Sequence, residues 1–187
     1  MSKGKLFVIS GASGVGKSTV LARVMEERKD LRFSVSATTR SPRPGEVDGV
    51  NYYFVTKAKF EEMIAQDAFI EYDAHMDNYY GTPNAQLEEK LTAGSVILDI
   101  EPNGAFAVRR NRPDAVLIFI APPSMEELES RLRSRGDTCE EQIQMRLKRA
   151  EWEMEQRSHY DYVVINEQVN VCADKILQII AEKANEE

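Results

Sequence analysis

Cysteine, histidine and tryptophan are scarce in this chain: two, two and one among 187 residues. Cys139 and Cys172 form no CxxC pair and no disulfide framework, so the default is a reducing cytoplasm. His75 and His159 read as packing or surface residues rather than catalysts. Trp152 and the seven methionines read as packing residues. Long apolar runs are also missing. The longest, Ala115–Ala121, is far short of the roughly 20 residues that span a bilayer. Leu6–Ile9 is too short for a signal peptide and meets Ser10 and Gly11 at once. Positive charge is in deficit, 24 Lys and Arg against 31 Asp and Glu, a formal net charge of -7. That opposes broad nucleic-acid binding, which needs a basic surface, though a local Arg/Lys cluster can still hold a small anion. No repeat and no Pro/Gly/Ser-rich linker divides the chain, so its length predicts one domain. What is present, 42% hydrophobic and 29% charged residues, is ordinary for a globular protein and excludes collagen, coiled coil and wholesale disorder.

Short apolar runs alternate with helical patterns. Lys5–Ser10, Phe33–Ala37, Ser95–Ile100, Ala115–Ala121 and Tyr160–Ile165 predict strands. Lys17 to about Arg28, Ser124–Ser134, Glu140–Arg157 and Val171–Ala184 predict helices, the last with Val171, Ile176, Ile179 and Ile180 near one face. Continuous apolar strands with helical crossovers imply an α/β fold, a parallel sheet covered on both faces. Two stretches break the rhythm. Thr38–Thr82 reads as a strand-rich insertion around one small helix. Ser134–Glu141, with Arg135-Gly136-Asp137, reads as a mobile tip between charged helices.

Gly11-Ala12-Ser13-Gly14-Val15-Gly16-Lys17-Ser18 fits G-x-x-x-x-G-K-[ST], between an apolar strand and a helical pattern. The glycines permit backbone conformations and close approach that a Cβ obstructs. Successive N–H groups and the helix N-terminus then form an anion cradle. Lys17 offers a point charge to the terminal phosphates, and Ser18, with Thr19 beside it, a hydroxyl to Mg²⁺. The bland alternative is a Gly-rich turn without ligand, which the strand–loop–helix context argues against. Val96-Ile97-Leu98-Asp99 reads either as a buried strand ending in an Asp at a turn or as an acidic strand end near the metal or the acceptor.

The acceptor is addressed by the insertion. Arg40 and Arg43 lie in a loop stiffened by Pro42 and Pro44, followed by Tyr52, Glu71 and Asn78-Tyr79-Tyr80-Gly81-Thr82. Paired Arg with Tyr hydroxyls suit a phosphate, although each Arg taken singly reads as a solvated charge. The segment Phe33 to Phe54, then Phe69-Ile70-Glu71, Asn78 to Thr82, Leu98-Asp99-Ile100 and Arg131-Leu132-Arg133-Ser134-Arg135-Gly136, resembles guanylate kinase. The resemblance runs in order from Leu6 to about Asn166.

That resemblance implies ATP-dependent phosphorylation of GMP to GDP by a P-loop NTPase-type parallel sheet with a strand-rich GMP-binding insertion and a helical lid. Its boundaries are core 1–36, 83–124 and 159–187, insertion 37–82, and lid about 125–158. By analogy Arg40, Arg43, Tyr52 and Tyr80 grip the GMP phosphate, Ser36, Glu71 and Thr82 address the guanine, and Asp99 and Glu101 lie near the acceptor. Arg131, Arg135 and Arg146 face the ATP phosphates and the transferring group, and Asn166 is a candidate neighbour of the adenine. Arg133 and Arg149 read instead as a solvated face paired with Glu127, Glu129, Glu151 and Glu153. Guanine's N1–H and N2 amino group suit one carboxylate, whereas adenine presents an acceptor at N1. GMP's phosphate, with a second pKa near 6, is already largely ionised, so no general base is expected. The partners implied are ATP and GMP, with no nucleic acid and no membrane; oligomeric state stays open. Pro102-Asn103 departs from the family's Val-Gln, where Asn has the shorter reach. Two rivals remain: a scaffold-type module that binds phosphopeptides, in which the phosphate loop degenerates, and a P-loop kinase for another phosphorylated small molecule.

Overall fold

The computed structural model describes residues 4–75, 77–134 and 139–184. Nine strands form two sheets among them. The first sheet uses β1 (Leu6–Gly11), β2 (Arg32–Phe33), β7 (Val96–Asp99), β8 (Val116–Ala121) and β9 (Tyr162–Ile165), in the order β2-β7-β1-β8-β9. β1 pairs with β8, β2 with β7 and β8 with β9, all in parallel. The second, mixed sheet has the order β4-β3-β6-β5, from β3 (Ala37–Thr38), β4 (Tyr53–Phe54), β5 (Phe69–His75) and β6 (Asn78–Pro83). The helices are α1 (Lys17–Glu27), α2 (Lys57–Ala65), α3 (Asn84–Ala93), α4 (Pro102–Asn111), α5 (Met125–Ser134), α6 (Glu140–Glu155) and α7 (Val169–Ala184), with a 3-10 turn at Gln156–His159. Among the described residues no helix is long and apolar enough to cross a membrane.

The chain forms two compact units. One comprises Met1–Leu6 and Asp30–Ala115, the other Phe7–Lys29 and Val116–Glu187. In the first, Phe60 of α2 stacks on Phe69 and Tyr79 at 4.3 and 5.2 Å between ring centroids. This aromatic cluster fixes the mixed sheet against its helix, and α4 packs on β5. In the second, β1 and β8 are buried along their whole length, as strands covered on both faces are. α1 packs on α7; α1 buries Val20, Leu21 and Val24, and α7 buries Cys172, Ala173, Ile176, Ile179 and Ile180.

Four expectations change. Phe33–Ala37 is not one strand: Arg32–Phe33 pairs with β7, whereas Ala37–Thr38 pairs with β4 and β6. The alternation Phe-Ser-Val-Ser-Ala suits either partner, and distant strands decide. Helices α3 and α4 join those predicted. β9 is an edge strand, with Val163 46% and Ile165 44% exposed, rather than a buried one. Val171 is likewise exposed: α7 starts at Val169, and its buried stripe runs through 172, 173, 176, 179 and 180. Val171 lies five residues before Ile176, which at 100° per residue turns it away from that stripe. The tip at 135–138, Arg135 included, lies outside the described residues.

Candidate active site

In the second unit, β1 ends at Gly11 and α1 begins at Lys17, so the loop between them is the Gly-rich segment itself. Gly14 and Gly16 adopt φ +88° and +93°, left-handed values that favour glycine. A Cβ at Gly14 would also lie 2.6 Å from Leu132 Cδ2 of α5. The loop is held through its backbone. Ala12 N–H donates to Ile120 O at 3.2 Å and Val15 N–H to Ala12 O at 2.9 Å. Asn166, 3% exposed, donates its side-chain amide to Val15 O at 2.8 Å. Ser13 N–H donates to Glu153 Oε2 at 2.6 Å. α1 begins at Lys17, directly after Gly16, and an anion at a helix N-terminus meets backbone N–H groups and the positive end of the helix dipole. Lys17 and the exposed Ser18 and Thr19 stand in that turn.

Each arginine assigned to the lid has a different setting. Arg131 on α5 pairs with Glu127 at 2.9 Å and donates to the carbonyls of Asn166 and Glu167 at 2.8 and 3.3 Å. Arg146 is half-buried on α6. Arg133 pairs with Glu129 and Glu140 on an exposed face, as expected. Arg149 donates to Glu153 at 3.1 Å, but Glu153 does not belong to a solvated face. It is 3% exposed, on the α6 stripe with Ile143 and Ala150. The sequence signal was there, an acidic residue three after buried Ala150, but the surrounding Glu-rich composition hid it. Asn166 likewise serves the loop backbone.

In the first unit the acceptor candidates converge on the mixed sheet. Ser36 precedes β3 and accepts Tyr53 N–H at its carbonyl, 2.9 Å away. Thr38 pairs with Tyr80 across β3 and β6, and Glu71 with Thr82 across β5 and β6. Arg40 follows β3. Its guanidinium lies 5.5 Å from the Tyr52 ring centroid, and Tyr52 meets Tyr80 edge-on at 6.1 Å. Arg40 is held above its ordinary pKa chiefly by Glu46, with which it pairs at 2.8 and 2.9 Å, and also by the Tyr80 hydroxyl. Burial pushes the Tyr52 phenol up. Glu46 also accepts Arg43 N–H at 2.7 Å. It closes the Pro-rich loop around both arginines, a role that its place in Pro-Gly-Glu did not reveal. The Arg43 side chain is exposed.

Glu71 is 7% exposed. Thr82 Oγ1 donates to its Oε1 at 2.6 Å. Burial pushes its carboxyl up to about 7; the charges of Asp73 and Glu101 add to this, while Thr82 hydrogen bonds oppose it. A Cβ at Gly104 of α4 would lie 2.8 Å from Glu71 Oε2, so this helix turn leaves room for the carboxylate only because it carries glycine. Asp99 closes β7, half-buried, and Glu101 stands at the N-cap position of α4, with Pro102 at the helix start, where a missing N–H is harmless.

A phosphate loop joining a parallel strand to a helix, on an α/β fold that also carries an Arg/Tyr cluster and a buried carboxylate, defines a P-loop nucleotide-binding protein. Comparison with known proteins narrows the class. The guanylate kinase family model matches residues 3–183. A guanylate kinase of Oceanobacillus iheyensis is 49% identical over 179 residues, 95% of this chain and 87% of that protein. A guanylate kinase of Thermus thermophilus is 50% identical over 179 residues, 95% of this chain and 81% of that protein. The crystal structure of guanylate kinase from Anaplasma phagocytophilum superposes with a TM-score of 0.79 at 35% identity, covering 99% of this chain and 88% of that one. The chain belongs to the guanylate kinase family.

Proposed function

We propose that the chain transfers the terminal phosphate of ATP to GMP, giving ADP and GDP. The observation that carries this reading is Glu71: a buried carboxylate, oriented by Thr82 and given space by Gly104. It accepts guanine's N1–H and N2 amino group together, and adenine leaves it facing another acceptor. Ser36 and Thr82 complete the base site, with Asp99 and Glu101 near the acceptor. Arg40, Arg43, Tyr52 and Tyr80 take the GMP phosphate. In this division residues 37–82 are the acceptor insertion, about 125–158 a lid, and the rest the core.

Residues 11–19 take the ATP phosphates. The loop keeps every position of its motif, which favours an enzyme over a phosphopeptide-binding module. Mg²⁺ arriving with ATP fits the Ser18 hydroxyl, exposed in the first turn of α1, because this cation takes few protein oxygens beside phosphates and water. When bound it neutralises polyphosphate charge. A GMP phosphate oxygen attacks the terminal phosphorus of ATP; the bond to the bridging oxygen breaks, and ADP leaves with its electron pair. Since the nucleophile is already ionised, no side chain has to remove a proton. What the protein supplies is alignment and positive charge, from Lys17, Arg43, Arg131, Arg135 and Arg146. Two small anionic substrates and two unpaired cysteines suit a cytoplasmic setting.

The test is a coupled assay for ADP with ATP and, in turn, GMP, AMP, CMP and UMP. Turnover with GMP alone is expected. Equal turnover of AMP would overturn the role given to Glu71.

A further inference from the structure

Glu153 stands where a carboxylate is at first sight misplaced. It is almost fully buried, and acidic side chains are rarely so unless paired. One partner is backbone: Oε2 takes the N–H of Ser13, the third residue of the phosphate loop, at 2.6 Å. Its other oxygen takes Arg149 Nε, one helical turn earlier on α6, at 3.1 Å. A fixed negative charge beside a loop meant for polyphosphate repels the ligand. Yet a charged acceptor on a backbone N–H makes a strong, short bond, and it commits that peptide unit to one orientation. Ser13 directly precedes Gly14, whose backbone is left-handed, so a hold on the Ser13 peptide bears on the geometry of that turn. Arg149 is the more exposed of the two, at 34% side-chain exposure against 4% for Glu153, and its positive charge offsets that of the carboxylate.

We propose that Glu153 is a positioning residue for phosphoryl transfer: it clamps the Ser13 peptide so that the loop is set for ATP, and Arg149 screens its charge from the nucleotide. Arg149 is thereby assigned to the clamp rather than to the phosphates. The proposal rests on ATP occupying the Gly11–Ser18 loop.

The two residues give different expectations. Glu153→Gln keeps the shape and one acceptor for Ser13 N–H, but it weakens that bond and turns an amide N–H₂ toward the Arg149 donor. Arg149→Met keeps the clamp and exposes its charge. In the full-length enzyme, KM for ATP should rise about tenfold in Glu153→Gln, the loss of one charge-assisted hydrogen bond. It should rise about threefold in Arg149→Met. KM for GMP should stay within about twofold in both. Adding Arg149→Met to Glu153→Gln should produce no further rise, because the charge to be screened is gone. A purely structural role predicts a lower melting temperature with both KM values unchanged, and that result would overturn the proposal. Equal rises in both KM values, or additive effects in the double variant, would do the same. If Glu153→Gln does not fold, Arg149→Met alone decides: no selective rise in KM for ATP defeats the clamp. Lys17→Ala serves as control. If it keeps turning over ATP and GMP, the placement of ATP itself fails, not the clamp.

Discussion

At Glu71, stability and substrate binding pull in opposite directions with pH. Burial raises its carboxyl to about 7, so between the ordinary carboxylate range and about pH 7 the folded protein holds a proton that the unfolded chain releases. The resulting contribution to stability is fully present below the unfolded value and lost as pH rises through about 7. Guanine recognition as proposed for Glu71 needs the ionised form and therefore strengthens over the same rise. KM for GMP should fall as pH increases from 6 to 8. In Glu71→Gln that dependence should shrink to the part due to titration of the GMP phosphate, which the variant isolates. An unaltered pH profile in Glu71→Gln would remove Glu71 from the base site. Gly104 gives a companion test. Alanine is the better helix former by about 1 kcal/mol, so Gly104→Ala should hold or raise the melting temperature. Its methyl, 2.8 Å from Glu71 Oε2, should nevertheless displace the carboxylate and raise KM for GMP by about tenfold, as small misplacements do. A stabilised variant with unchanged KM would show that the contact is idle.

Among the elements, helix α5 supports the phosphate loop from below through Leu132, 1% exposed and directly under Gly14. Leu132→Ala should reduce stability by about 3 kcal/mol, the usual range for a buried leucine, and raise KM for ATP more than for GMP. Chemical denaturation and steady-state kinetics check the two halves. Legibility also divides at this scale. Strands β1 and β8 were readable because their apolar runs are too short for a helix, rich in Val, Ile and Phe, and bounded by turn residues. The phosphate loop was readable because its chemistry is local: one strand end, one turn, one helix start. The fate of Phe33–Ala37 was not, since its partners β7 and β6 are set by distant packing. The clamp at Ser13 was hidden for a similar reason. Glu153 resembles its solvated neighbours Glu151 and Glu155 in type, and only the three-dimensional path of α6 separates them. Arg40 and Tyr52 were legible through family likeness, but Glu46 was not, because a counter-ion carries no motif of its own.

For the whole molecule, the division into two units makes a prediction about where each ligand acts. GMP alone should slow amide exchange chiefly within Asp30–Ala115, and ATP alone within Phe7–Lys29 and Val116–Glu187. Each ligand binds the folded form, so at a hundredfold excess over its Kd it should add about 2.7 kcal/mol to the stability of the part that holds it. Hydrogen exchange followed by mass spectrometry reads this directly. Protection by GMP in the residues around the phosphate loop, with none in the mixed sheet, would reverse the assignment of the two sites.

The fastenings of the phosphate loop lie far along the chain: Ser13 is tied to a residue 140 positions later and Val15 to one 151 positions later. At translation rates of about 5–20 residues per second, the Gly11–Ser18 segment is made roughly 7–30 seconds before Glu153 and Asn166. During that interval the nascent polypeptide carries the complete motif but not the scaffold that shapes it. A product released early, before α6, would therefore keep the sequence signature of a nucleotide binder without being able to act as one.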